Sequence, residues 1–430
     1  MAEKFDVIVV GGGLAGLSAA LVAARAGLQV VVAERGSRAG SKTVSGGLLY
    51  THALERIVPR FWEEEPSPVE RAIDRNVLSF LTPTRAVSID YFDAGFGAPP
   101  YNSMSVLRSR LDPWLAKKAE DAGAVPAFGV RVDALVRESG RVVGIRAGDD
   151  ELRADVVVLA EGSNALLARD ANGAGETPAE AVGVGVKQVI GLPTGEVERR
   201  FQLAGRSGTQ YSTIGFPPKV KGGGFVYTNR ESLSIGAIFN LRSLVETGTA
   251  MYDVLEQFKQ HPFLARLLDG GTLLEYSGCF VGEGGYDLRS PPVGDGFLVA
   301  GAAAGFFLNT GFTLRGMDFA LESGRLAGET AVAAAKAHDG SAGRLAGYAR
   351  ALGGSFVLRE LGAFRGYPAV FDRPALYEAY PEMMGELLHR LFRVDGEPRP
   401  HLGRLLWDAP AGRASPWELV RDLTRAMRSL

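Results

Sequence analysis

A glycine-rich turn between a short apolar strand and an alanine-rich helix, a middle stretch of short strands broken by glycines, and a proline-interrupted helical tail together predict an α/β fold. At 430 residues the chain is too long for one ordinary domain. The expected plan has three parts. A Rossmann-like dinucleotide-binding domain takes residues 1–175 and 285–340, with a small inserted segment near 60–105. An antiparallel β-sheet substrate domain occupies 176–284, and a mainly helical tail runs over 341–430.

The elements follow in order. Phe5 to Val10 is β-branched and apolar after Asp6, as a strand buried on both faces should be. Gly11 to Gly16 follows, then a helix to about Ala26 that Gly27 stops. Leu28 to Ala33 is a second buried strand, ending at Glu34. Tyr50 to Phe61 reads as helical, Ser109 to Ala122 as a helix, and Val130–Arg137 with Val142–Ala147 as a hairpin turned at Gly140. Asp155 to Ala160 is another buried strand. Between Glu180 and Val281 short strands alternate with glycine turns, which predicts the antiparallel sheet. The buried-strand pattern returns at Phe297, and Thr313 to Ala337 reads as one long helix.

Composition narrows the function. Hydrophobic residues make up 46% and charged residues 22%, the balance of a globular chain. A net charge of -2 gives no electrostatic case for nucleic-acid binding. The single cysteine, Cys279, excludes an intrachain disulfide, a CxxC redox pair and a four-thiolate iron–sulfur cluster held by this chain alone. The five histidines are scattered, and no metal site is expected. The N-terminus lacks the pattern of a signal peptide, and the longest apolar run, Phe297 to Leu308, is too short to span a bilayer. The expected location is cytoplasmic, with peripheral contact at the inner face of the cell membrane left open.

The motif Gly11-Gly12-Gly13-Leu14-Ala15-Gly16 is a GxGxxG. With glycine this common, roughly one such match arises by chance per chain, so context must decide. Only this copy lies between a buried strand and an alanine-rich helix, with an acid, Glu34, about 20 residues on. Its glycines let the backbone approach a pyrophosphate, the helix N-terminus offers free N–H groups, and Glu34 suits an adenosine ribose. The motif alone does not separate FAD from NAD. Two later segments favour FAD: the strand closing on Ala160-Glu161-Gly162, and the strand ending in the small-residue loop Gly301-Ala302-Ala303-Ala304-Gly305. A helix starting near Thr313 would aim its positive end at the flavin pyrimidine. As ordinary core strands with packing glycines these segments would carry no such meaning; their order makes them mutually supporting.

Three further segments carry a resemblance. Gly40-Ser41-Lys42-Thr43-Val44-Ser45-Gly46-Gly47, Leu107-Arg108-Ser109-Arg110-Leu111-Asp112-Pro113-Trp114-Leu115 and Leu308-Asn309-Thr310-Gly311-Phe312-Thr313-Leu314-Arg315-Gly316-Met317-Asp318 resemble the flavin loop, the R-x-x-[FL]-D-x-W segment and the LN-x-G-x-x-x-RGMD segment of FixC-type flavoproteins. These are relatives of electron-transfer-flavoprotein:quinone oxidoreductase in a superfamily that includes the geranylgeranyl reductases. The resemblance implies FAD as cofactor. It places contacts at Lys42, Thr43, Ser45, Gly46, Arg108, Gly311, Phe312 and Thr313, beside those at Gly11, Gly13, Leu14, Ala15, Gly16, Glu34, Ala160, Glu161, Gly162, Gly301 and Ala302. Arg35 and Val130 complete the expected set.

Two positions depart from related flavoproteins: Ala302 stands where many carry Asp, and Glu161-Gly162 replaces Asp-Gly, which weakens the case for an NADPH-dependent hydroxylase. The resemblance further implies an electron-transfer flavoprotein as donor, a separate ferredoxin-like iron–sulfur protein as partner, and membrane quinone as acceptor. Electron transfer through flavin needs no acid, base or nucleophile, and none is assigned. Lys42 and Arg315 are candidates to stabilise anionic flavin or line a quinone pocket, with a structural role at least as strong for Arg315. A reductase of geranylgeranyl double bonds is the alternative. A non-catalytic scaffold that keeps FAD for stability is the reading from outside enzymology. Weaker signals are the loops Gly95–Tyr101 and Phe216–Gly224, as quinone-entry hairpins, and an amphipathic stretch from Ser415 to Leu430, as a membrane or partner helix.

Overall fold

The computed structural model describes residues 4–42, 46–175, 177–283 and 285–398, with a few single residues beyond. Apart from Arg421, Asp422 and Thr424, the amphipathic Ser415–Leu430 stretch lies outside the described residues.

A parallel sheet forms the first layer. Its strands run in the order Val125–Phe128, Val30–Glu34, Lys4–Val10, Asp150–Leu159 and Phe297–Val299, with Val293–Gly294 antiparallel at the edge. Val7 to Val9 and Val156 to Leu159 are buried, as expected for strands covered on both faces. The hairpin Ala134–Glu138/Arg141–Ala147 extends onto Asp150–Leu159. The helix Leu14–Arg25 packs against Met317–Lys336 so closely that a Cβ on Gly324 would lie 2.1 Å from the Ala15 carbonyl oxygen. Ser18 Oγ donates to the Leu321 carbonyl across the same crossing, at 2.7 Å.

The second layer is a larger sheet in the order Thr272–Gly282, Val182–Gly191, Ser232–Asn240, Gly222–Thr228, Ser207–Ile214, Ala72–Leu81, Ser103–Val106 and Gly47–Tyr50, with Ala86–Phe92 also on Ala72–Leu81. It is antiparallel except where Ser207–Ile214 runs parallel to Ala72–Leu81. Strands from the segment near 60–105 therefore belong to this sheet, together with Gly47–Tyr50. Helices Thr194–Phe201, Met251–Gln260 and Pro262–Leu268 cover one face, burying Val197, Phe201, Leu255 and Phe258. The glycine turns had masked these helices in the sequence.

Two further differences have local causes. Tyr50 ends a strand instead of starting a helix, because Gly47–Tyr50 pairs with Ser103–Val106; the helix is His52–Ile57. The long helix begins at Met317, not Thr313. Leu314–Arg315 pairs with Leu308–Asn309 in a two-stranded ribbon, and Gly316 breaks the chain direction before the first turn. The tail folds as helices Ala342–Gly354, Phe356–Ala363, Tyr367–Phe371 and Ala379–Phe392. Among the described residues no helix is long and apolar enough to cross a membrane.

Candidate functional site: two adjoining cavities

A cavity of about 380 Å³ runs from the glycine turn to the inserted sheet. At one end the glycine turn packs tightly on neighbouring backbone. Gly11 has φ +108, and a Cβ there would lie 2.4 Å from the Ala160 carbonyl oxygen. On Gly16 it would lie 2.0 Å from the Gly11 carbonyl oxygen. Gly13 caps the helix Leu14–Arg25 with no side chain bonded to its first turn, so the N-terminal N–H groups stay available to an anion. Glu34 fixes this turn from the tip of its strand: Oε2 accepts from Gly12 N at 2.8 Å and Oε1 from Gly36 N at 2.6 Å.

The expected residues that the structure describes divide into three groups. Gly11, Gly13, Leu14, Ala15, Glu34, Arg35, Lys42, Arg108, Ala160, Glu161, Gly162 and Ala302 line the cavity. Gly16, Gly301, Gly46 and Val130 support it from behind. Gly301 N donates to Ser323 Oγ at 2.9 Å, and Val130 N donates to the Glu34 carbonyl at 3.0 Å. Gly311, Phe312 and Thr313 lie off this cavity. Gly311 faces the second one described below, Phe312 is exposed, and Thr313 bonds Thr310. Thr43 and Ser45 lie outside the described residues.

The charged members are held differently. Arg108 reaches within 3.8 Å of where a Gly13 Cβ would stand, and Asp112 orients its guanidinium through bonds of 2.5 and 2.7 Å. Glu161 has its carboxylate on the N-terminus of Leu166–Asn172, accepting from Leu167 N and Ala168 N at 3.1 and 2.6 Å; burial pushes its pKa up against those bonds. Arg315 is a structural clamp. It bonds Asp318 at 2.5 Å and Glu360 at 3.2 Å and stacks over Phe319.

The far end of the cavity was missed in the sequence. It is walled by Leu48, Lys187, Tyr227, Phe306, Phe307 and Met317, with Cys279 on the edge strand. Lys187 Nζ donates to the Gly46 carbonyl at 2.8 Å and lies 5.2 Å from the Phe225 ring centre. Burial, reinforced by Arg108, pulls its pKa down to about 8. A lysine on an alternating strand carries no signal that its face meets a cavity built by residues 140 positions away. The start of the helix Met317–Lys336 also reaches this end through Gly316 and Met317, so its positive pole faces the cavity four residues later than expected.

A second cavity, of about 260 Å³, adjoins the first. Phe225, Ile238 and Leu314 face both. The remaining wall is mainly apolar, from Ile214, Leu288, Phe371 and Tyr377, with Gly222 to Gly224 at one side. The end of the Phe216–Gly224 loop thus reaches a cavity, whereas Gly95–Tyr101 lines neither.

Residues 6–90 match the FAD dependent oxidoreductase family, 183–280 match "ETF-QO, ubiquinone-binding", and 367–430 match the ETF-QO/FixC family C-terminal domain. The chain is 45% identical over 405 residues to a probable electron transfer flavoprotein-quinone oxidoreductase, YdiS, of Escherichia coli K12, covering 94% of each chain. It is 44% identical over 406 residues to the protein FixC of Salmonella typhi, again covering 94% of each. In fold it is similar to a geranylgeranyl bacteriochlorophyll reductase-like protein of Thermoplasma acidophilum, with a TM-score of 0.72 at 20% identity over 99% of this chain and 100% of that one. The flavin-dependent brominase Bmp2 gives 0.64 at 18% identity, over 94% and 97%. The chain is an FAD-dependent oxidoreductase.

Proposed function

The chain belongs to the electron-transfer-flavoprotein–quinone oxidoreductase/FixC family, and on that premise we propose that it passes electrons from an electron-transfer flavoprotein, with a ferredoxin-like subunit, to membrane quinone. The observation that carries this reading is the shared wall. A mainly apolar cavity sits one side chain away from the dinucleotide cavity, and two of the three residues of the shared wall, Phe225 and Ile238, lie within residues 183–280. A quinone ring needs such an apolar slot, and short-range electron transfer needs no further protein chemistry between the two sites.

Bound FAD would supply the two-electron storage that protein side chains lack. The chain's own residues do the rest. The Gly11–Gly16 turn and the first helix receive the pyrophosphate, with Arg108 beside it. Glu34 holds the ribose end. Lys187, Gly316 and Met317 surround the other end, where a positive charge and a helix N-terminus favour a reduced, anionic ring. Phe225, Ile238 and Leu314 separate it from the quinone slot and keep bulk water out. Exposed Ile89, Tyr91 and Phe92 on the strand Ala86–Phe92 support peripheral contact with the inner face of the cell membrane.

The test is turnover in the complete complex. FAD-loaded chain, its cognate electron-transfer flavoprotein and the ferredoxin-like subunit should reduce decylubiquinone; no quinol from that mixture overturns the reading. The isoprenoid-reductase alternative draws only on the shared fold, at 20% identity.

A further inference from the structure

Glu283 is an acid in the wall of the mainly apolar second cavity. It follows the edge strand Thr272–Gly282 and lines the second cavity. Its backbone is pinned on both sides: the N–H donates to the Ala181 carbonyl at 2.7 Å, and the carbonyl accepts from Tyr367 OH at 3.2 Å. Its side chain is aimed by a neutral group. Asn240 Nδ2 donates to Oε2 at 3.1 Å, while the Asn240 side chain is itself fixed by the Glu180 carbonyl and the N-terminus of Leu241–Thr247.

The other ionisable groups facing this slot are accounted for. Lys221 is ion-paired with Asp372, Glu180 with Arg242, and Tyr367 and Tyr377 are buried phenols whose pKa values are pushed up by burial. Burial likewise pushes the Glu283 carboxyl above the usual range, with Asp372 adding to this and Asn240 and Lys221 opposing it. A carboxyl that serves only as an anchor is normally met by a cation or several N–H groups. This one is met by an amide, in a cavity that shares its wall with the flavin site.

We infer that Glu283 is a catalytic residue of quinone reduction: its carboxyl protonates a carbonyl oxygen of a quinone seated in the second cavity. The inference rests on the quinone reading above. Reducing a quinone to a quinol takes two electrons and two protons. Bound FAD, when reduced, would supply both electrons and one of the protons. Glu283 gives the second proton, forming the second O–H bond, and is left as a carboxylate. Charge is conserved, at one negative on each side, and water at the cavity mouth reprotonates the carboxylate.

The experiment compares wild type, Glu283→Gln and Glu283→Asp as FAD-loaded chains. Each is reduced anaerobically and mixed in a stopped-flow instrument with decylubiquinone between pH 5.5 and 8.5. A parallel series uses ferricenium, an acceptor that takes electrons but no proton. Glu283→Gln keeps an oxygen for Asn240 and should bind FAD normally. Its reoxidation by decylubiquinone is expected to be at least ~10-fold slower near pH 6, following the contribution of a placed acid. The loss of rate seen in wild type as pH rises should disappear, while the ferricenium rate stays unchanged. Glu283→Asp should be slower than wild type yet keep the pH dependence.

Equal quinone rates and pH profiles for Glu283→Gln and wild type would overturn the inference, as would an equal loss toward ferricenium. A wild type that ferricenium oxidises but decylubiquinone does not, at any pH, overturns the quinone reading and this inference with it. A wild type active toward quinone beside an unaffected Glu283→Gln overturns the inference alone.

Discussion

Replacing Lys187 by Met should make the protein more stable and a poorer electron acceptor. The ammonium group is held against the Gly46 carbonyl and the Phe225 ring, largely out of water, and its pKa has fallen to about 8. At about 1.4 kcal/mol per pKa unit the fall from 10.5 costs about 3 kcal/mol at pH 7. The side chain is partly exposed toward the cavity, so solvent screening reduces this to about 1–3 kcal/mol.

The sign follows from proton counting. Between pH 8 and 10.5 the unfolded chain holds a proton that the folded chain has lost. Stability of the FAD-free wild type should therefore rise with pH through that window, and the rise should be absent in Lys187→Met. With FAD bound as proposed, the same charge would favour the anionic reduced ring. At an effective dielectric near 20, a unit charge on the order of 10 Å from the ring would contribute about 1.7 kcal/mol. For two electrons that is a midpoint potential lowered by roughly 35 mV. Thermal melts of the FAD-free proteins at pH 7 and 9.5, and potentiometric titration of the FAD-loaded ones, measure both effects. A fully FAD-loaded variant whose potential matches wild type within a few millivolts refutes the assignment of Lys187 to the flavin end.

Three further substitutions separate holding the cofactor from holding the fold. Gly16→Val puts side-chain carbons into the Gly11 carbonyl, and the protein should purify with almost no FAD; near-stoichiometric flavin released on denaturation would contradict this. Glu34→Gln turns one accepting oxygen into an amide donor facing a backbone N–H, and should weaken FAD binding by about 1–3 kcal/mol, roughly a 5- to 150-fold rise in Kd by fluorescence titration. Arg315→Leu strands the buried Asp318 carboxylate and should cost about 3 kcal/mol of stability in chemical unfolding, while the FAD Kd changes less than threefold.

The glycine-turn end of the cavity was legible because its physics is local. A close pyrophosphate demands glycines at fixed spacing, the helix must start where they end, and the acid must sit at the tip of the next strand. The far end, proposed to meet the flavin ring, was not legible for the opposite reason. Lys187 and Tyr227 sit on separate strands of one sheet, and their meeting with Leu48 and Met317 depends on packing between layers. Gly311, Phe312 and Thr313 were placed by resemblance to a motif, but the ribbon Leu308–Asn309/Leu314–Arg315 turns Gly311 to the second cavity and Phe312 to solvent. That ribbon also explains the late start of the long helix: its two short strands are too brief to alternate visibly. Arg315 shows how a motif residue can serve as a clamp, since only the structure reveals that Asp318 and Glu360 occupy its guanidinium.

Electron delivery from this chain to quinone is tested most directly by product analysis after a single turnover. The FAD-loaded chain is reduced anaerobically, freed of excess reductant and mixed with decylubiquinone, and the quinol is counted against reoxidised flavin. The expected result is one quinol per FAD, with no saturated product when a geranylgeranyl lipid replaces the quinone. Flavin that stays reduced in the presence of the quinone but saturates the isoprenoid would contradict it.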